Sequence, residues 1–197
     1  MGNRDALRRL TKKFPPPNEV RTILDSLKKE GDRSVAIVAS ALLESTLEKF
    51  LIAHIRHRDS KLIGQLFENR GPLSDFNGKI LIGVAFGVFS PAQGDHFQII
   101  RHVRNAFAHS RVPISFETPQ INKEVQDFKA LQAMKGVMAE WGDEGSIPEN
   151  MRDLNLPTKS AFLLIVEIMM IMLDYQHRKL GYGSLVHYDD DPSKPQE

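Results

Sequence analysis

The sequence predicts an all-α fold: a single-domain helical bundle of five or six main helices. Three observations carry this expectation. Apolar residues recur three and four positions apart in long segments between proline and glycine breaks, which is the spacing of one helix face. No stretch of any length alternates apolar and polar residues as a half-buried strand does. The 197 residues, 41% of them hydrophobic, suffice for one core without any disulfide, since there is no cysteine.

The elements follow in order. Residues 1–18 form a basic arm interrupted by Pro15, Pro16 and Pro17, which prevent a helix from running through. Glu19 to Glu30 reads as a short helix ended by Gly31, and Asp32 is placed to cap the next one. Ser34 to about Ile55 lacks proline and glycine and is apolar on more than one stripe, with Glu44, Glu48 and Lys49 as interruptions, so a central, mostly buried helix is expected. Lys61 to Phe67 suits a short helical turn, and Gly71-Pro72 resets direction. Phe76, Lys79, Ile80, Gly83, Val84 and Gly87 recur at helical spacing, and the two glycines, four apart, would let a neighbouring helix approach closely.

Ser90-Pro91 opens the next helix with a capping hydroxyl before a first-turn proline, and it should run to about His109. Val112-Pro113 forces extended backbone. Thr118-Pro119 starts a helix whose Ile121, Val125, Phe128, Leu131, Met134, Met138 and Trp141 share one face. Residues 142–156 read as a loop. Thr158 is expected to cap the last long helix, closed by Gly181 after Arg178 and Lys179 in its final turn. The helical domain thus spans 19–181, and the acidic tail, 182–197, has the composition of a disordered segment.

Charge narrows the functional classes. With 26 Lys+Arg against 25 Asp+Glu, any nucleic-acid binding has to come from a local patch. The absence of cysteine fits a reducing compartment, the charged start lacks the apolar core of a secretory signal, and a cytoplasmic location is expected. Ala161 to Leu173 is too short to span hydrocarbon and contains Glu167, so no membrane association is expected. Glu167 itself should either pair with a buried cation or carry a raised pKa. His54 and His57, with Glu48 and Asp59 nearby in sequence, could in principle share a metal, but nothing shows that they converge; no metal and no cofactor are expected.

The informative stretch is His96 to Arg111. Between Asp95 and Glu117 there is no acid, yet there are Arg101, Arg104, Arg111, His96, His102 and His109. On an ideal helix His102, Asn105 and His109 project from one side, opposite Ile99, Val103 and Phe107. Arg101, His102 and Arg111 are the expected binding residues. Arg104 and His109, five apart, lie about 140° around the helix from one another, so they could meet only at a frayed end or across a dimer.

Arg104-Asn105 followed by His109 resembles the R-x4-6-H motif of the HEPN superfamily, helical domains that include metal-independent ribonucleases. That resemblance implies Arg104 as phosphate clamp, His109 as acid/base and Asn105 as their polar companion. A longer set of blocks resembles the mannitol operon repressor (MtlR-like) family: Gly71-Pro72-Leu73-Ser74-Asp75-Phe76, Lys79-Ile80, Ala85-Phe86-Gly87-Val88, Ile100 to Ser110, and Ile114-Ser115-Phe116-Glu117, with Pro157 to Leu173 similar to the family's closing helix. This likeness covers roughly residues 35 to 175. It implies a non-enzymatic transcriptional regulator or corepressor that acts through a protein partner and has no DNA-binding domain of its own; a homodimer is expected as well, because a second copy could bring its own Arg104 and His109. The alternative is an endoribonuclease that binds RNA and uses Arg104, Asn105 and His109.

Overall fold

The computed structural model describes residues 15–126 except 69, then 128, 156–183 and 185. The described residues hold seven helices and no strand: α1 (Pro17–Leu27), α2 (Asp32–His54), α3 (Ser60–Phe67), α4 (Phe76–Ala85), α5 (Pro91–His109), α6 (Pro119–Gln126) and α7 (Thr158–Lys179). The all-α expectation therefore holds, with a count of seven because two helices are only eight residues long. The expected continuation of the α6 face through Leu131, Met134, Met138 and Trp141, the loop 142–156 in all but its last residue, the arm before residue 15 and most of the tail lie outside the described residues.

α2 is the hub. Its apolar residues point to several sides because α1, α4, α5 and α7 all pack on it, and Val35, Ala39, Leu43, Leu47 and Phe50 are fully or almost fully buried. α7 runs parallel to α2, tied at one end by Lys159 to Asp32 (3.7 Å) and at the other by Tyr182, whose hydroxyl donates to the Ala53 carbonyl (3.2 Å). α5 runs antiparallel to α2, since Arg33 near the start of α2 donates to the Ser110 carbonyl just past the end of α5 (3.1 Å). One apolar cluster runs through all seven helices, from Val20 and Leu24 of α1 to Met169 and Leu173 of α7. A ladder of aromatic contacts, Phe107 on Phe116 and Phe116 on Phe162, joins α5 to α7.

Local chemistry sets the ends. The start of α5 is a reciprocal capping box: the Gln93 amide N–H donates to Ser90 Oγ (3.2 Å) and the Ser90 N–H to Gln93 Oε1 (3.0 Å). Two expected caps are corrected. Gly31, not Asp32, is the N-cap of α2, and the Asp32 carboxylate instead accepts the Phe116 N–H (3.0 Å), holding the connector after α5. Pro157 is the N-cap of α7, and the buried Thr158 hydroxyl accepts from the Asn122 side chain of α6 (2.8 Å). Both polar groups serve tertiary ties, which local spacing does not reveal.

The paired-glycine expectation is also corrected. A Cβ on Gly83 would lie 2.1 Å from the Phe89 ring, so its space is filled by an aromatic from the following turn. Gly87 lies past the end of α4 at φ +63 with open space around it and supplies a left-handed turn. The residue that brings α5 close to α4 is Gly94, whose Cβ would sit 2.5 Å from Val84 Cγ2.

Candidate functional site

The basic half of α5 gives its two arginines different partners. Val103 and Phe107 anchor it in the core, and the helix then turns Arg104 towards α2 and Arg101 beside α4, while His102, Asn105 and His109 lie around the other flank. Arg104 Nη1 is 3.5 Å from Glu44 Oε2 of α2. Lys79 of α4, only 4% exposed, completes that cluster, with its Nζ 2.9 Å from Glu44 Oε1 and 2.9 Å from Glu48 Oε2. Two cations and two carboxylates from three helices thus neutralise one another between α2, α4 and α5. The arrangement fits the need of a buried ammonium for more than one acceptor.

On the open flank, hydrogen bonds line up in a chain. Gln98 Nε2 donates to Asn77 Oδ1 of α4 (2.9 Å), Arg101 Nε donates to Gln98 Oε1 (2.7 Å), and Arg101 Nη2 donates to His102 Nε2 (2.9 Å). Because a guanidinium has no acceptor, His102 Nε2 must be the accepting nitrogen, and its proton sits on Nδ1. Arg101, half-buried, is therefore held in one orientation between Gln98 and His102. His109 and Arg111 are exposed at the end of α5, where cations suit the carbonyl end of the helix. His96 stands apart from this group: its ring stacks on Phe128 at 4.6 Å, and burial holds its pKa below the usual histidine value against the upward pull of Asp95.

No family model matches this chain, and no curated protein or solved structure matches it either. The site is therefore read from its own residues.

Of the expected catalytic set, Arg104 is engaged with Glu44, and His109 is exposed one and a half turns further along α5. The residues suggested for a metal are dispersed. His54 Nδ1 donates to the Phe50 carbonyl (2.9 Å), Glu48 holds Lys79, and Asp59 caps α3 by accepting the Leu62 N–H (3.0 Å). Among the described residues no three His, Asp or Glu side chains are grouped as metal ligands. Nor is any helix there long and apolar enough to cross a membrane.

Glu167 follows the second expectation and not the first, because the cations that act on it are exposed. Burial, the largest influence, raises its pKa against the smaller downward pull of Arg21 and Lys28 of α1, and Asp25 of that helix also raises it. Sequence reasoning missed the Lys79 cluster. Its available signal was a Glu44 and Glu48 pair one turn apart in an otherwise apolar helix, with a lone Lys79 in an equally apolar one.

Proposed function

We propose that the protein is a non-enzymatic transcriptional regulator or corepressor of the mannitol-operon-repressor type. In this reading it acts through a protein partner, as a cytoplasmic homodimer, and needs no cofactor. The observation that carries it is the state of Arg104: its charge is answered by Glu44 within the Lys79 cluster, so it serves the packing of α2, α4 and α5. Arg111 and His102, both exposed, and the half-buried Arg101 are left for recognition. The test is co-purification of the full-length chain with the other products of its own operon, beside a mobility-shift titration with operon DNA. A stable complex with one of those proteins and no sequence-specific shift by the chain alone is the expected result. A sub-micromolar, sequence-specific shift without any partner rejects the reading.

The second reading is a metal-independent endoribonuclease using Arg104, Asn105 and His109. It is favoured by one fact: Arg104 keeps 33% of its side chain exposed and His109 is exposed too. Incubation with RNA in the presence of a chelator, beside His109→Ala, decides it. Cleavage by the parent chain that disappears in the variant supports a nuclease, and absence of cleavage ends that reading.

A further inference from the structure

The outer face of the α4–α5 hairpin is polarised. The two helices run antiparallel, with Asn77 opposite Gln98 and Val84 against Gly94. Leu81 is one turn from Asn77 on the same side of α4 and is 57% exposed, whereas Phe86, past the end of that helix and 75% exposed, projects from the other side, so Leu81 is the apolar end of this face. From Asn77 the face crosses to α5 and continues through Gln98, Arg101 and His102 to Asn105 and His109, with Arg111 just beyond. Its length is on the order of 30 Å from the helical rises of the two segments. One end is apolar and the other cationic.

The acids around the face reinforce this polarity. Asp95 is exposed a turn before Gln98, towards the apolar end. Asp75 caps α4, accepting the Gly78 N–H (2.9 Å). At the far end Asp32 is held by the Phe116 N–H and Lys159, Glu117 is near Asn122 (3.4 Å), and Arg33 holds the Ser110 carbonyl.

We infer that the Leu81 end and the Arg101–His102–Arg111 end of this hairpin together form the docking face for a protein segment with an apolar anchor at one end and acidic residues at the other. This rests on the regulator reading, and names the chemistry of its partner. Charge complementarity selects acids opposite Arg101, and Asp95 disfavours them beside Leu81, so the segment binds in one direction. A fixed guanidinium is suited to carboxylate recognition because its fork is already oriented. A single-stranded nucleic acid fits less well. It needs stacking aromatics interleaved with the cations, whereas Phe97, Phe107 and Phe116 are buried and Phe86 lies at the opposite end of the hairpin.

The experiment is selection from a phage-displayed library of random eighteen-residue peptides on the full-length protein, about the length of the face when helical. The enriched peptides are then measured as synthetic labelled peptides by fluorescence anisotropy. The expected sequences carry Leu, Ile or Phe in one half and two or more Asp or Glu in the other. Their affinity falls at least about tenfold with Arg101→Glu and about fivefold with Leu81→Ser. Lys61→Glu on α3 leaves it unchanged, and circular dichroism shows each variant folded.

No enrichment, enrichment without acids, or affinity indifferent to both face variants overturns the inference. So does a single-stranded RNA that binds more tightly than any peptide and depends on Arg101 but not on Leu81. Peptides or operon partners that bind with indifference to the face variants would leave the regulator reading standing with its contact elsewhere. Autonomous operator binding would remove that reading while leaving the peptide result as measured.

Discussion

Replacing Lys79 by Met separates architecture from chemistry in the charged cluster. The side chain is 4% exposed and stands 2.9 Å from a carboxylate oxygen of both Glu44 and Glu48. Met keeps most of the volume, so the loss comes from the stranded charges. Removing one member of a buried pair costs about 3 to 5 kcal/mol. Here Glu44 retains Arg104 at 3.5 Å, and Glu48, 35% exposed, can turn to water, which places the expected loss at the lower bound. About 3 kcal/mol corresponds to a fall in Tm of roughly 6 to 12 °C for a domain of this size.

Urea denaturation followed by helical circular dichroism at neutral pH measures it, provided the slope with denaturant is unchanged. The compensated variant Lys79→Met, Glu44→Gln, Glu48→Gln should recover at least about 2 kcal/mol, because no buried carboxylate is then left unanswered. Arg104→Ala, whose contact is longer and one-third exposed, should cost about 1 kcal/mol or less. A loss below about 1 kcal/mol for Lys79→Met, or a compensated variant no better than the single one, refutes the assignment of this cluster as the joint between α2, α4 and α5.

Two further outcomes follow from burial and shape. Glu167 has a folded-state pKa raised chiefly by burial, so between its unfolded and folded values the native state holds the extra proton. The stability this contributes is present below the unfolded pKa and lost as pH rises through the folded one. Glu167→Gln should therefore flatten the pH dependence of unfolding in the acidic range and raise stability at neutral pH, measured by urea melts across that range; an unchanged profile contradicts it. Gly83→Ala places a methyl 2.1 Å from the buried Phe89 ring and should destabilise by about 1 to 3 kcal/mol. Gly64→Ala, with nothing nearer than 4.0 Å, should stabilise α3 by about 0.5 to 1 kcal/mol, and thermal melts of the two variants should move in opposite directions.

Most of the helical order was legible because its determinants are local. The Ser90-Pro91-x-Gln93 start of α5 is complete within one turn of sequence, and the all-round apolar character of α2 announces a helix with neighbours on several sides. Asp32 and Thr158 misled for the same reason in reverse: their residue types suit a cap, but a distant N–H and a distant amide offered better use of the oxygen. Gly83, Gly87 and Gly94 look alike in sequence, yet one makes room for a ring, one turns the chain and one admits a helix.

At the candidate site, helical spacing correctly put His102, Asn105 and His109 on one flank and Arg104 away from them. What spacing could not supply was the destination of Arg104, because Glu44 belongs to a different helix far away in the sequence and only the packed bundle brings the two together.

The far end of α7 carries a consequence for where the bundle first opens. Asp174, 1% exposed, receives the Leu185 N–H and Arg178 (3.0 Å), His177 lies against Tyr182, and Tyr182 meets Arg58 across an interval of 124 residues. Closing so long an interval costs entropy that must be offset by contacts already made. The clasp lies past the ends of both α2 and α7, where few other contacts hold it, so it should be among the first connections to open under native conditions, with amide exchange at Leu185 outpacing that at Leu47.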